Sequence, residues 1–248
     1  MRTLKSPRSV GGHRGVATSN SEDTVGLSKG VETALSVTLT LATLAVALIM
    51  VEGRLRPRRA SGSVTRVEKI DDWRAKSGSV ALRLSDSASS VQIDVFTDFE
   101  CPFCRILDSV LVKLEHEHDG NISRSVIHFP LPMHKSAMKA SQAFDCAARQ
   151  QKAAAMSDIL FKSQQYLGVI SIDSLAREVG VPDGERFAAC LNDAETLKRI
   201  REGSELAERL QLTGTPVVVI NGWLLDPASP AAVGRAVKNA LAGKTPNS

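Results

Sequence analysis

Aromatic residues are scarce in this chain: seven Phe, two Trp and one Tyr make up 4% of 248 residues. The core must therefore be built from aliphatic side chains and alanine. Base-stacking surfaces are excluded with it, because no basic stripe is interleaved with aromatics and the net charge is only +4. Nucleic acid is not an expected partner. Cysteine is scarce too, with four in all. No second Cys-x-x-Cys and no closely spaced His pair completes a zinc site, so no metal is expected. Nor does any pattern ask for a cofactor. Finally, one stretch has no charge at all. Residues 33–51 are uncharged and mostly apolar, flanked by Glu32 and Glu52.

What is present is otherwise an ordinary globular composition, 43% hydrophobic and 23% charged, enough for one good-sized core. Its organising feature is Asp98-Phe99-Glu100-Cys101-Pro102-Phe103-Cys104. A hydrophobic run, Val91-Gln92-Ile93-Asp94-Val95-Phe96, precedes it, and a helical pattern over 105–117 comes after it. Two cysteines thus sit where a strand gives way to a helix. A thiol in the first helical turn faces unpaired N–H groups and the positive end of the helix dipole, which favours thiolate. Pro102 suits that turn because it has no N–H to lose. Cys101 and Cys104 share a helix face and can close a disulfide. The expected chemistry is thiol–disulfide exchange, with Cys101 as nucleophile and Cys104 resolving the mixed disulfide.

Along the chain, residues 1–31 are rich in Ser and Gly, without hydrophobic period, and read as a disordered tail. The uncharged run is long enough to cross a bilayer as a helix, and residues 32–52 read as a single uncleaved transmembrane anchor. It starts far from Met1 and no A-x-A site follows, unlike a signal peptide. Residues 52–66 hold Arg54, Arg56, Arg58, Arg59 and Arg66, whereas 18–32 hold only Lys29. Charge bias alone would leave the C-terminal side in the cytoplasm. Stable dithiol oxidation belongs outside it, and we take the chemistry as decisive: the catalytic domain is expected on the extracytoplasmic, periplasmic side of the cell membrane. Residues 53–88 read as a linker with some late order: a short helix from Asp71-Asp72-Trp73 and a short strand over 80–84. Beyond it lie strands over 91–98 and 123–129, then helices between about 134 and 211. A hairpin follows, turning at Asn221-Gly222, the strongest short hairpin signal, and then a helix over 231–241. That order implies an open mixed sheet covered by helices.

The run Phe96-Thr97-Asp98-Phe99-Glu100-Cys101-Pro102-Phe103-Cys104, with Thr213-Gly214-Thr215-Pro216 before the hairpin, resembles the thioredoxin superfamily. The helical block between the two motifs is similar to its DsbA-like branch, a disulfide oxidoreductase group, over roughly 89–245. The resemblance implies a thioredoxin-like mixed sheet at 89–248 with an inserted helical subdomain at about 134–211, here preceded by one transmembrane helix. It implies catalytic Cys101 and Cys104, shaped by Pro102, Phe103, Thr215 and a cis Pro216. Thr215 would present backbone groups to an extended substrate. Its partners would be proteins bearing thiols or disulfides, and a redox partner in the membrane. A reductase or isomerase on the same fold, or a non-catalytic binding module, is the alternative. Phe103 stands where a histidine is common in the branch, so Cys101 would depend on the helix terminus, with Asp98 and Glu100 opposing the anion.

Cys146 and Cys190 fall on helices of the inserted block. With Cys101 paired to Cys104, they form the candidate structural disulfide, or else two independent core thiols. Asp94 reads either as an outward strand residue or as a buried carboxylate serving Cys104. His134 reads as packing the next helix or lining the active-site face. Lys198, Arg199, Arg201 and Arg209 read as an exposed helix face.

Overall fold

The structure, a computed structural model, describes residues 29–55, 65–84, 89–118 and 120–246. The chain divides into two units, Met1–Ala60 and Ser61–Ser248.

In the first unit the described element is α1 (Lys29–Leu55), which contains the uncharged run. Its threonines bond backward along the helix: Thr38 Oγ1 donates to Ala34 O at 3.0 Å and Thr40 Oγ1 to Ser36 O at 2.9 Å. Among the described residues, no helix is long and apolar enough to cross a membrane. Most of the expected tail lies outside the described residues, and its last three, 29–31, already belong to α1.

The second unit is one six-stranded sheet with helices on both faces. In chain order it holds β1 (Arg66–Lys69), α2 (Trp73–Ser77), β2 (Leu82–Arg83), β3 (Val91–Thr97), α3 (Pro102–Glu117) and β4 (Ile122–His128). The inserted block comes next: α4 (Ala137–Ala148), α5 (Ala153–Lys162), a 3₁₀ turn at Gln164–Tyr166, α6 (Ile172–Glu178), α7 (Gly184–Cys190) and α8 (Ala194–Arg209). The chain closes with β5 (Val217–Ile220), β6 (Trp223–Asp226) and α9 (Pro230–Leu241). Among the described residues the strand order is β1-β6-β5-β3-β4-β2, antiparallel at every pair but β3 and β4, which are parallel. Their crossover is α3, as parallel neighbours require.

Alternation fixes the two faces of the central strands. Val91, Ile93 and Val95 of β3 pack with Leu107, Leu111 and Leu114 of α3 and Val233 and Val237 of α9. Phe96 points the other way, among Trp73, Ile127, Leu206, Val217 and Val219. A third cluster fills the inserted block around Phe144, Met156, Leu160 and Phe187, and reaches Phe99, Cys101 and Cys104. The site therefore sits where the sheet unit meets the insertion.

Three elements of the fold lie within the expected linker. β1 pairs with β6 in register Arg66↔Asp226, and Arg66 also meets the Asp226 carboxylate at 3.4 Å. The strand reads Arg-Val-Glu-Lys; at a sheet edge such charges are tolerated, and they erase the apolar alternation that marks a strand. The α2 helix and β2 appear where the sequence placed a short helix and strand. Trp73 is buried, 6.1 Å from the Phe96 ring, and its indole donates to Asp94 at 2.5 Å.

The hairpin turns at Asn221 (φ 49°) and Gly222 (φ 83°), both left-handed, as a two-residue primed turn demands. Cys146 and Cys190 form a disulfide joining α4 to α7, with Cα atoms 5.7 Å apart. Closing a span of 44 residues is worth about 2–4 kcal/mol. Arg199 departs from the exposed face expected of it. Its guanidinium reaches inward to the fully buried Asp145 at 2.9 Å, which also takes Arg149 at 3.0 Å.

Candidate active site

Strand β3 delivers the chain to the site, and two carboxylates fix the segments beyond it. Asp98 is fully buried. Its Oδ1 accepts from the Glu100 amide at 2.8 Å, its Oδ2 from the Leu131 amide at 2.8 Å, and its carbonyl from the Cys101 amide at 3.1 Å. Its Oδ2 also meets His134 Nδ1 at 2.7 Å. Glu100 Oε2 accepts from the Ser136 amide at 2.6 Å. The two acids that were expected to oppose a Cys101 anion thus each place one carboxylate oxygen on the 130–136 segment. From the insertion, Gln164 Nε2 donates to Phe99 O at 2.8 Å and Cys101 O at 2.9 Å.

Cys101 is the N-cap of α3, with Pro102 at the first helical position. In its protonated form its thiol donates to Thr215 O at 3.4 Å, beside the cis Thr215-Pro216 bond. A second cis bond, Asp226-Pro227, lies nearby in chain order and carries no sequence signal of its own. Both thiols are free and almost enclosed, Cys101 at 4% and Cys104 at 2% exposure. They titrate apart. The hydrogen bond from Cys104 lowers Cys101 most; burial opposes it, and Thr215 with the Cys104 and Phe103 amides adds to the lowering, to about 5. Burial first, then the bond to Cys101 and the charge on it, drive Cys104 well above an ordinary thiol. One sulfur is a thiolate at neutral pH and its partner keeps its proton.

Phe103 is 66% exposed and Ile106 50%. They flank a groove of about 490 Å³ whose other wall is Thr213, Gly214, Thr215 and Pro216, with Pro227 and Ala228 beyond. Every residue the sequence assigned to the site, Cys101, Pro102, Phe103, Cys104, Thr215 and Pro216, is therefore gathered at one place. Cys146 and Cys190 are in their own disulfide elsewhere in the insertion. Asp94 does not serve Cys104: it is half-buried on β3 and bonded to Trp73, while Cys104 is perturbed by Cys101, Asp98 and Thr215. His134 and Gln164 are the site residues that sequence reasoning passed over or left open. Gln164 carries no pattern at all. His134 had a signal, the apolar, proline-bracketed run before it.

The Thioredoxin family model matches residues 81–239. The chain is 26% identical over 155 residues to a probable disulfide bond formation protein D of Bacillus anthracis, covering 58% of this chain and 71% of that protein. It is 30% identical over 130 residues to a Na(+)/H(+) antiporter NhaA 1 of Mycolicibacterium vanbaalenii, covering 51% of this chain but only 21% of the antiporter. Among solved structures it resembles a periplasmic thioredoxin-like protein from Salmonella enterica serovar Typhimurium (TM-score 0.58, 20% identity, 71% of this chain and 99% of that one). It also resembles oxidised BdbD from Bacillus subtilis (TM-score 0.53, 15% identity, 66% and 94%).

Proposed function

Because the chain belongs to the thioredoxin family, we propose that it is a thiol:disulfide oxidoreductase exchanging disulfides with protein substrates through Cys101-Pro102-Phe103-Cys104. One observation carries this reading: the two thiols of one motif are driven in opposite directions, Cys101 down to about 5 and Cys104 up. A low-pKa thiol is the better leaving group and is thiolate when it must attack. In the oxidising direction a substrate thiolate attacks Cys101 Sγ of the Cys101–Cys104 disulfide. That bond breaks, and Cys104 leaves and takes up a proton. A second substrate thiolate then attacks the substrate sulfur of the mixed disulfide. Cys101 leaves as thiolate, the substrate gains a disulfide, and the protein holds two more electrons. The steps run backward for a reductase. The groove beside Phe103, with Thr215 at its wall, suits an extended, apolar substrate segment.

The pH dependence of alkylation tests this. Iodoacetamide should modify Cys101 of the reduced native protein with a rate midpoint near pH 5, while Cys104 stays unmodified across the neutral range. A Cys101 that reacts only above pH 8 ends the proposal.

We further propose a single-pass anchor at 32–52 holding the domain on the extracytoplasmic side, where a membrane redox partner would return it to its working state. The charge-free run 33–51 and the disulfide chemistry of the site support it; against it stand α1, which among the described residues is not long and apolar enough to cross a membrane, and, for the orientation, the arginines after the run. A reporter active only outside the cytoplasm, fused after Ser248, should be active. A silent reporter with an active cytoplasmic counterpart reverses the orientation.

A further inference from the structure

One side chain of the insertion grips the backbone on which the nucleophile rides. Gln164 lies in the 3₁₀ turn after α5, and its Nε2 donates to Phe99 O at 2.8 Å and to Cys101 O at 2.9 Å. Both acceptors are carbonyls, so the side chain must present its NH2 group there and not its oxygen. The two carbonyls are two residues apart, and one planar amide holds both. Cys101 O is also where α3 begins, accepting from Cys104 N at 3.1 Å and from Arg105 N at 3.3 Å. On its other side the Cys101 amide donates to Asp98 O at 3.1 Å. The Cys101 backbone is thus tied at both ends, to the strand end through Asp98 and to the insertion through Gln164. Docking of the two segments does not depend on this amide alone. The Phe99 ring lies 5.0 Å from that of Phe161 and 5.2 Å from that of Phe144, and all three are buried. The rings hold the segments together; the amide of Gln164 fixes where the Cys101 peptide lies between them.

We propose that Gln164 is a positioning residue for the resolving half of the exchange: it holds the Cys101 backbone so that, in the mixed disulfide, the Cys101 sulfur lies in line for Cys104. It acts through Cys101 and bonds no reacting atom. In the resolving step Cys104 Sγ attacks Cys101 Sγ, and the bond from Cys101 to the substrate sulfur breaks. The Cys104 proton ends on the departing substrate sulfur, and the protein keeps the Cys101–Cys104 disulfide. This attack is intramolecular. Three sulfurs must align, the attacking one is fixed in the first turn of α3, and displacement of the attacked atom cannot be made up by diffusion. The first half differs. A substrate disulfide arriving from solvent can align itself with the Cys101 sulfur wherever that sulfur lies. Loss of the Gln164 donor should therefore slow the second half and leave the first.

The inference rests on the redox reading of the Cys101–Cys104 pair, and the test separates the two. The reduced full chain is mixed with oxidised glutathione at pH 7.5, and acid-quenched samples are read by mass spectrometry. Growth and decay of the glutathione adduct on Cys101 give the rates of the two halves. Gln164→Met keeps the length of the side chain without a donor; Gln164→Glu keeps its shape and turns acceptors toward both carbonyls. Adduct decay should slow by about tenfold or more in each, while adduct formation by Gln164→Met stays within about twofold of wild type. A merely structural role would slow both halves together, or lower the melting temperature and change neither. Either result overturns the inference and spares the function. The wild type supplies a measurement that needs no variant. The side-chain amide protons of Gln164 should exchange with solvent at least about tenfold more slowly than those of exposed Gln165, in the reduced and the disulfide forms alike. Equal exchange overturns the inference whether or not the variants fold. A wild-type chain that forms neither adduct nor disulfide overturns the redox reading, and the inference with it.

Discussion

Replacing Cys104 by alanine will convert the protein into a trap: Cys101 will accumulate mixed disulfides with its substrates, and turnover will fall by at least about 100-fold. The geometry sets this. Cys104 lies one helical turn from Cys101, within hydrogen-bonding reach of its sulfur. Well-oriented intramolecular attack carries effective molarities of roughly 10⁵ M and above, which a free thiol at millimolar concentration cannot replace. The same substitution removes the largest single influence lowering Cys101, the bond from Cys104, so the Cys101 thiol should titrate higher than in the wild type. Thr215 and the amides of the first turn still lower it there, against the burial that raises it. Cys101 thus stays competent to attack but cannot be released. Non-reducing gels and mass spectrometry of the Cys104→Ala protein will show adducts at Cys101, and Cys101→Ala will show none. A non-catalytic binding module predicts the reverse pattern, with substrate association unaffected by either change and no covalent adducts. Loss of fold is not expected to confuse the result, since removing one buried sulfur leaves a cavity smaller than that of a Leu→Ala change.

Most of this site could be read in the chain before the fold was known, and the parts that could not share a physical cause. Cys101, Pro102 and Cys104 were legible because each sits at a junction of local structure, the end of a strand and the first turn of a helix, whereas Thr215 and Pro216 entered through the family resemblance. Local patterns encode junctions. The Asn221-Gly222 turn was legible for the same reason; pairing arithmetic made Cys146–Cys190 a candidate but left two independent core thiols as the alternative, which the disulfide between α4 and α7 decides. Asp98 and His134 are 36 residues apart, and Gln164 lies 63 residues from Cys101. No periodicity marks such pairs, because what brings them together is the docking of the insertion on the sheet unit. β1 failed the other way. It is local, but its apolar signal is one valine among charges, and its pairing with β6 spans the whole domain. Asp94 shows how a true observation can be assigned to the wrong neighbour. It is a perturbed strand carboxylate, raised by burial, but its neighbour is Trp73, from the segment read as a linker.

Gly203→Ala should destabilise the domain by about 2 kcal/mol, lowering its melting temperature by roughly 4–8 °C. Propensity alone predicts the opposite sign, since alanine is favoured over glycine by about 1 kcal/mol inside a helix. The decision comes from packing. Gly203 lies buried in α8 where that helix crosses the end of β4, and a Cβ there would lie 2.5 Å from the His128 carbonyl oxygen and 3.3 Å from its amide nitrogen. Both are backbone atoms, so no side-chain rotation relieves the clash, and one element must move. β4 is held on both edges, by β3 and by β2, so α8 should give way. Moving α8 opens the packing of Ile200, Leu206 and Ala207, and it loosens Arg199 from buried Asp145. It also disturbs His128, which is fully buried, has neither ring nitrogen hydrogen-bonded among the described residues, with the Asp145 carboxylate 3.9 Å from Nε2, and is held neutral by burial and by nearby Arg199, with its pKa down to about 3. Water admitted beside that ring would bring its native pKa back toward the ordinary imidazole value of about 6.5, so the variant should lose less stability than wild type as pH falls below that value, and the difference between them should narrow there. The active site should be spared. Phe129 remains bonded to Thr97 at 2.9 Å and Asp98 remains bonded to Leu131, so the pH midpoint of Cys101 alkylation should match wild type. A Gly203→Ala protein that melts higher than wild type would show that the helix accommodates the methyl group without displacement, and propensity would then be the term that decides.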